Sequence, residues 1–120
     1  MTAMASTVLV VDDHPSFRAT ARRLLQAEGF EVVGEAENGA EAVRKAGELH
    51  PDLVLLDVQL PDLNGFEVAG ILCRDGAAPA IVLVSSRDAT DYGDLIPDCG
   101  ARGFIAKAEL SGANIRALLP

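Results

Sequence analysis

The chain has 120 residues, 49% of them hydrophobic, enough to bury a core in one domain and to exclude global disorder. Eighteen acidic residues against ten basic ones leave a formal net charge of −8, which repels phosphate backbones and anionic membrane surfaces, so neither direct nucleic-acid binding nor membrane docking is expected. With no Trp and 4% aromatics it lacks a base-stacking platform, no apolar run approaches the roughly 18 residues of a spanning helix, and the N-terminus carries no signal-peptide pattern.

Cys73 and Cys99 have no metal-ligand spacing and are too few for a disulfide framework. They read as reduced thiols in a cytoplasmic protein.

Residues 1–6 read as a flexible N-terminal segment. Thr7 to Val11 is a continuous apolar run, the pattern of a strand buried on both faces. Phe17, Ala21, Leu24 and Leu25 recur at helical spacing and predict a helix ending near Gly29. Phe30 to Gly34 predicts a second strand. Asn38 with Glu41 has capping-box spacing and opens a helix through Ala42, Val43, Ala46 and Leu49, closed by Pro51. Leu53 to Leu56 is a third strand running into Asp57, and Pro61 to Asn64 a loop. Asn64 with Glu67 repeats the capping spacing before Phe66, Val68, Ala69, Ile71 and Leu72.

Ala80 to Val84 predicts a fourth strand running into Ser85. Residues 88–99 predict a weak helix, interrupted by Gly93 and Pro97, and the least stable of the set. If helical, it carries Asp88, Asp91, Asp94 and Asp98 on one acidic face. Gly103 to Ala106 predicts the fifth strand, followed by Lys107, and Ser111 caps a last helix through Ile115, Leu118 and Leu119. This alternation is (βα)5: a parallel sheet with helices on both faces, whose ligands bind at the carboxyl ends of the strands.

Those ends hold the chemistry. Asp12 and Asp13 follow the first strand, Asp57 ends the third, Ser85 and Ser86 the fourth, and Lys107 the fifth. Each alone is ordinary, but together they form a cluster of carboxylates, a hydroxyl and an ammonium. Three adjacent carboxylates stay ionised cheaply only around a cation, and an oxygen-only set with few carboxylates suits Mg2+. A carboxylate poised beside such a cation can act as a nucleophile toward phosphorus, which puts Asp57 in the role of phosphoryl acceptor. His14 reads as a first-turn residue that could shuttle a proton, and His50 as a solvated loop residue. Arg18 and Arg22 share a helix face that could steer an acidic partner.

Five segments in order carry a resemblance: Val-Leu-Val-Val-Asp-Asp-His-Pro (8–15), Pro-Asp-Leu-Val-Leu-Leu-Asp (51–57), Leu-Pro-Asp-Leu-Asn-Gly (60–65), Ile-Val-Leu-Val-Ser (81–85) and Gly-Ala-Arg-Gly-Phe-Ile-Ala-Lys (100–107). The sequence resembles the receiver domain of bacterial two-component response regulators over Val8 to about Leu119, with a LuxR/NarL-type flavour in its Asp-Asp-His-Pro and Lys-Ala-Glu-Leu-Ser segments. Ala108 stands where many receivers have Pro after the strand-5 Lys.

The resemblance implies a flavodoxin-like, doubly wound five-stranded parallel sheet of strand order 2-1-3-4-5, forming a single domain over residues 1–120. It implies Asp57 as phosphoacceptor, and Asp12, Asp13, Asp57 and the backbone carbonyl of Gln59 as the Mg2+ site. Ser85 and Lys107 would bind the phosphoryl group, Phe104 would be the switch aromatic, and Ser86 and Arg87 would be secondary. The implied phosphodonor is a phosphohistidine on a sensor histidine kinase or phosphotransfer protein. The implied output is a change of the face around the fourth helix and fifth strand, with homodimerisation a common accompaniment. The protein would be no turnover enzyme on a separate substrate, although it would catalyse its own phosphorylation and dephosphorylation.

The short fifth helix favours truncation after Pro120, where a DNA-binding output domain would follow, over a stand-alone receiver. Three other classes compete. A haloacid-dehalogenase-like phosphatase needs a second Asp two positions after the nucleophile, where this chain has Gln59. A flavodoxin-like cofactor binder needs a Ser/Thr/Gly-rich phosphate loop, where this chain has Asp-Asp-His-Pro. A pseudo-receiver acting as a phosphorylation-independent interaction module would have no use for an intact Asp12, Asp13, Asp57, Ser85 and Lys107.

Overall fold

The computed structural model describes residues 6–74, 78–87 and 89–118. Five strands, β1 (Thr7–Val11), β2 (Glu31–Ala36), β3 (Leu53–Asp57), β4 (Ala80–Ser85) and β5 (Gly103–Ala106), form one parallel sheet in the order β2-β1-β3-β4-β5. The helices are α1 (Pro15–Ala27), α2 (Gly39–Leu49), α3 (Gly65–Leu72), α4 (Leu95–Asp98) and α5 (Gly112–Ala117). This is the doubly wound (βα)5 arrangement that the alternating pattern demands.

Each central strand is apolar on both sides because each side faces helices. Leu9, Val11, Val54, Leu56, Ile81 and Leu83 point to one layer, with Ala42 and Ala46 of α2 and Val68, Ala69 and Leu72 of α3. Their neighbours Val8, Val10, Leu53, Leu55, Val82 and Val84 point to the other, with Ala21 and Leu25 of α1 and Ile115 of α5. The sheet divides the core into two separately packed halves.

Local signals set the helix ends. Asn64 and Glu67 form a complete capping box on α3. At α2 the box is half made: the Asn38 side chain accepts from the Glu41 N–H, while the Glu41 carboxylate pairs with Lys45 at 3.3 Å. His50 closes α2 in the left-handed conformation, directly before Pro51. Ser111 caps α5 through the Asn114 N–H. Both cysteines are free thiols.

Three expectations shift. The second strand runs over Glu31–Ala36, because its register is fixed by pairing with β1, and Phe30 turns into the core beneath it. Residues 88–99 do not form one helix. A 3-10 turn at Ala89–Asp91 is followed by a break at Gly93, whose φ is +55°, and then by the four-residue α4. Asp91, Asp94 and Asp98 therefore share no continuous helical face, and Asp88 lies outside the described residues. Leu119 and Pro120, and all but the last residue of the 1–6 segment, also lie outside them.

Candidate functional site

The carboxyl ends of β1, β3, β4 and β5 lie side by side, since parallel strands in register all finish at one edge. Asp12 follows β1 and is fully buried. Its backbone N–H continues the ladder to the Ala36 carbonyl at 3.0 Å. One of its carboxylate oxygens, Oδ1, accepts the His14 N–H at 2.8 Å and lies 2.9 Å from His14 Nδ1. The other, Oδ2, is buried and accepts no well-directed hydrogen bond. Its close neighbour is the Lys107 ammonium, an off-line ion pair at 2.6 Å.

Asp57 ends β3 with 3% of its surface exposed. The Gln59 N–H donates to Oδ1 at 3.2 Å, and Lys107 Nζ stands 3.5 Å from Oδ2. Burial pushes the Asp57 carboxyl up from 3.8 to about 6, and repulsion from Asp12 adds to that. The Gln59 N–H and the Lys107 charge oppose it. The chain turns away from this strand through Gly65, whose N–H reaches the Val58 carbonyl at 2.7 Å. A Cβ on Gly65 would lie 2.6 Å from the Asp57 carbonyl oxygen, so only glycine lets α3 start this close to the acidic residue.

Ser85 ends β4 and is buried. Its hydroxyl accepts the Arg87 N–H at 3.1 Å and lies 2.8 Å from the Tyr92 hydroxyl. Lys107 follows β5, and its ammonium rests 4.5 Å above the centre of the Phe17 ring, which fixes its approach to the two aspartates. Asp13, 37% exposed, lies at the rim with its Oδ1 3.1 Å from His14 Nδ1. Gln59, Ser86 and Arg87 are exposed beside the cluster, and Phe104 is half-buried on the sheet face behind Ser85.

The structure thus brings Asp12, Asp13, Asp57 and Lys107 into one constellation, with Ser85 at the adjoining strand end. Lys107 sits nearer Asp12 than Asp57, the reverse of the expected emphasis. Donor atoms of Asp12, Asp13, His14 and Asp57 all lie within 4.8 Å of one another. Within that group the three carboxylates, with Asp12 Oδ2 buried and lacking a directed hydrogen bond, fit a small hard divalent cation such as Mg2+.

Sequence reasoning missed three features. Arg18 and Arg22 both grip Glu35, at 3.0 and 2.8 Å, and the Arg18 guanidinium also donates to the Asp12 carbonyl at 2.6 Å. Arg18 thus ties the end of β1 to α1, and both arginines share their charge with Glu35. His14, expected in the first turn of the helix, is the residue before α1 and lies between the two acidic side chains. Tyr92 was unmarked, because nothing in its spacing signals a hydroxyl meeting Ser85.

Comparison with known proteins points to one family. A family model described as the response regulator receiver domain matches residues 8–118. The DNA-binding transcriptional activator EvgA of Escherichia coli is 36% identical over 101 residues, covering 84% of this chain and 50% of EvgA. The Bordetella pertussis regulator BvgA is 37% identical over 106 residues, covering 88% of this chain and 51% of BvgA. The chain therefore spans about half the length of the curated relatives it matches. The signal receiver domain of NarL from Mycobacterium tuberculosis superposes with a TM-score of 0.85 at 30% identity, covering 97% of this chain and 98% of that one.

Proposed function

This chain belongs to the receiver-domain family of two-component response regulators, of LuxR/NarL type, and from that premise we propose that Asp57 accepts a phosphoryl group from a phosphohistidine partner in a Mg2+-dependent reaction. The observation that carries this reading is the juxtaposition of buried Asp57 with Asp12, Asp13 and Lys107 at one sheet edge. The family is one of signalling switches, with no turnover enzyme indicated. Among the described residues, no helix is long and apolar enough to cross a membrane.

Asp12, Asp13 and Asp57 would hold the cation, with the Gln59 carbonyl as a further donor. When bound, Mg2+ neutralises the clustered carboxylates and the incoming phosphoryl oxygens. An Asp57 carboxylate oxygen attacks phosphorus, the bond from phosphorus to the donor imidazole nitrogen breaks, and neutral imidazole leaves. The Lys107 ammonium, already within 3.5 Å of Asp57, binds a phosphoryl oxygen, and the Ser85 hydroxyl binds another. Drawing Ser85 toward Asp57 opens space behind it, and Phe104 turns inward to fill it. The face around α4 and β5 then changes its population for a partner or output domain. Ser86 and Arg87, at the rim, tune access of water to the acyl phosphate. A homodimer is part of the same proposal, with its face left open.

Intact mass after incubation with acetyl phosphate and Mg2+ tests it. The expected result is a gain of one phosphoryl group (about 80 Da) in the wild type, absent from Asp57→Asn and absent without Mg2+. An adduct that persists in Asp57→Asn overturns the assignment.

A further inference from the structure

We propose that Tyr92 is a latch that holds Ser85 in its unphosphorylated position, so that the Ser85–Tyr92 hydrogen bond must break before Ser85 can reach a phosphoryl group on Asp57. This rests on the proposed phosphoacceptor role of Asp57 and adds to it a positioning residue outside the charged cluster.

The geometry is specific. Ser85 is 1% exposed, and its hydroxyl has two close polar neighbours, the Arg87 N–H at 3.1 Å and the Tyr92 hydroxyl at 2.8 Å. The Arg87 N–H can only donate. The hydroxyl proton of a buried serine needs an acceptor, and Tyr92 Oη is in place to be it. Engaging Asp57 instead would exchange that partner.

The Tyr92 ring is held in turn by two aromatics from different elements. It meets the Phe66 ring of α3 edge-on, with centroids 5.3 Å apart, and the Phe104 ring of β5 tilted at 5.7 Å. Tyr92 thus joins Ser85, α3 and the expected switch aromatic at one point. The backbone on either side is a single 3-10 turn and the four-residue α4, separated by Gly93 at φ +55°. No long helix resists a rotation of this residue. Releasing its hydroxyl lets Tyr92, Phe104 and α4 rearrange as one unit, so that occupation of the phosphoryl site is reported at the surface.

Tyr92 is the chain's one tyrosine, and there is no tryptophan, so tyrosine emission comes from the latch alone. The experiment titrates beryllofluoride with Mg2+ as the phosphoryl mimic into the wild type and Tyr92→Phe, following emission in the wild type and melting temperature in both. Tyr92→Phe keeps the ring and removes the latch oxygen. The expected result is a saturable change in wild-type emission and binding about fivefold tighter in Tyr92→Phe, the factor that the loss of one typical net hydrogen bond from the unliganded state corresponds to.

A rise in melting temperature with silent emission, and with equal affinity in the two proteins, overturns the latch and leaves the phosphoacceptor reading intact. No rise in either protein overturns both. Should Tyr92→Phe fail to fold, the wild-type emission titration decides alone.

Discussion

Replacing Asp57 by Asn should make the unliganded protein more stable at neutral pH, not less. In the absence of a cation, the fold holds an ionised carboxylate at 3% exposure beside a second buried carboxylate, Asp12. The folded carboxyl titrates at about 6 against 3.8 for an unperturbed one. Each unit corresponds to about 1.4 kcal/mol, so ionised Asp57 opposes folding by about 3 kcal/mol. Because the native state binds the proton more tightly, stability falls as pH rises between those two values. The opposition is complete above about pH 6, about half as large at pH 5, and gone below about pH 4.

Asn is close to isosteric and carries no charge. Asp57→Asn should therefore gain about 3 kcal/mol at pH 8, on the order of 10 °C in melting temperature for a domain of this size, and the gain should shrink toward pH 4. Urea unfolding of both proteins at pH 8, 6.5, 5 and 4 measures the difference directly, and the shared titration of other carboxylates cancels in it. Saturating Mg2+ should raise the wild type more than the variant and narrow the gap. A variant less stable than the wild type at pH 8, or a difference constant from pH 5 to 8, would refute the electrostatic reasoning.

Other substitutions test the supporting structure. Gly65→Ala places a methyl group 2.6 Å from the Asp57 carbonyl oxygen and should cost about 2 kcal/mol in urea unfolding, with weaker Mg2+ binding because the end of β3 must shift. Lys107→Met removes the ammonium 2.6 Å from Asp12 and should cost about 3 kcal/mol without metal, partly restored by Mg2+, as differential scanning fluorimetry would show. Glu35→Gln unpairs Arg18 and Arg22. The arginines, chiefly Arg22, hold the Glu35 carboxyl below its usual value, so its contribution of about 1 kcal/mol is present above about pH 4.5 and lost as pH falls further. Wild type and variant should therefore converge in acid denaturation once the pH has fallen through the lowered pKa of Glu35.

The parts of the fold that could be read in advance are those fixed by short-range chemistry. The limits of β5 follow from Gly103 and Lys107, and the start of α3 from the Asn64–Glu67 box. The limits of β2 do not, because pairing with β1 fixes them and no local pattern encodes that register. The acidic constellation was legible because a parallel sheet carries every strand end to the same edge, whatever the separation in sequence. The polarity within it was not: that Lys107 leans on Asp12 depends on Phe17 of α1 lying beneath its ammonium. Arg18 and Arg22 looked like a free basic face because Glu35, their common partner, belongs to another element. The Tyr92–Ser85 contact depends on how a broken helix settles against the sheet, which spacing alone does not encode.

The division of the core by the sheet has a consequence for how such a protein can change over time. Ser85 lies at the sheet edge, but Tyr92, Phe66, Ile96 and Phe104 all belong to the half that also holds α2 and α3. The half beneath α1 and α5 packs Leu25, Ile115 and their neighbours with no member of that set. On the proposed switch, one layer works as a hull and the other as a rudder. Drift in the hull alters how long the molecule lasts, whereas drift in the rudder alters what it tells its listener, so a lineage can adjust durability and meaning separately.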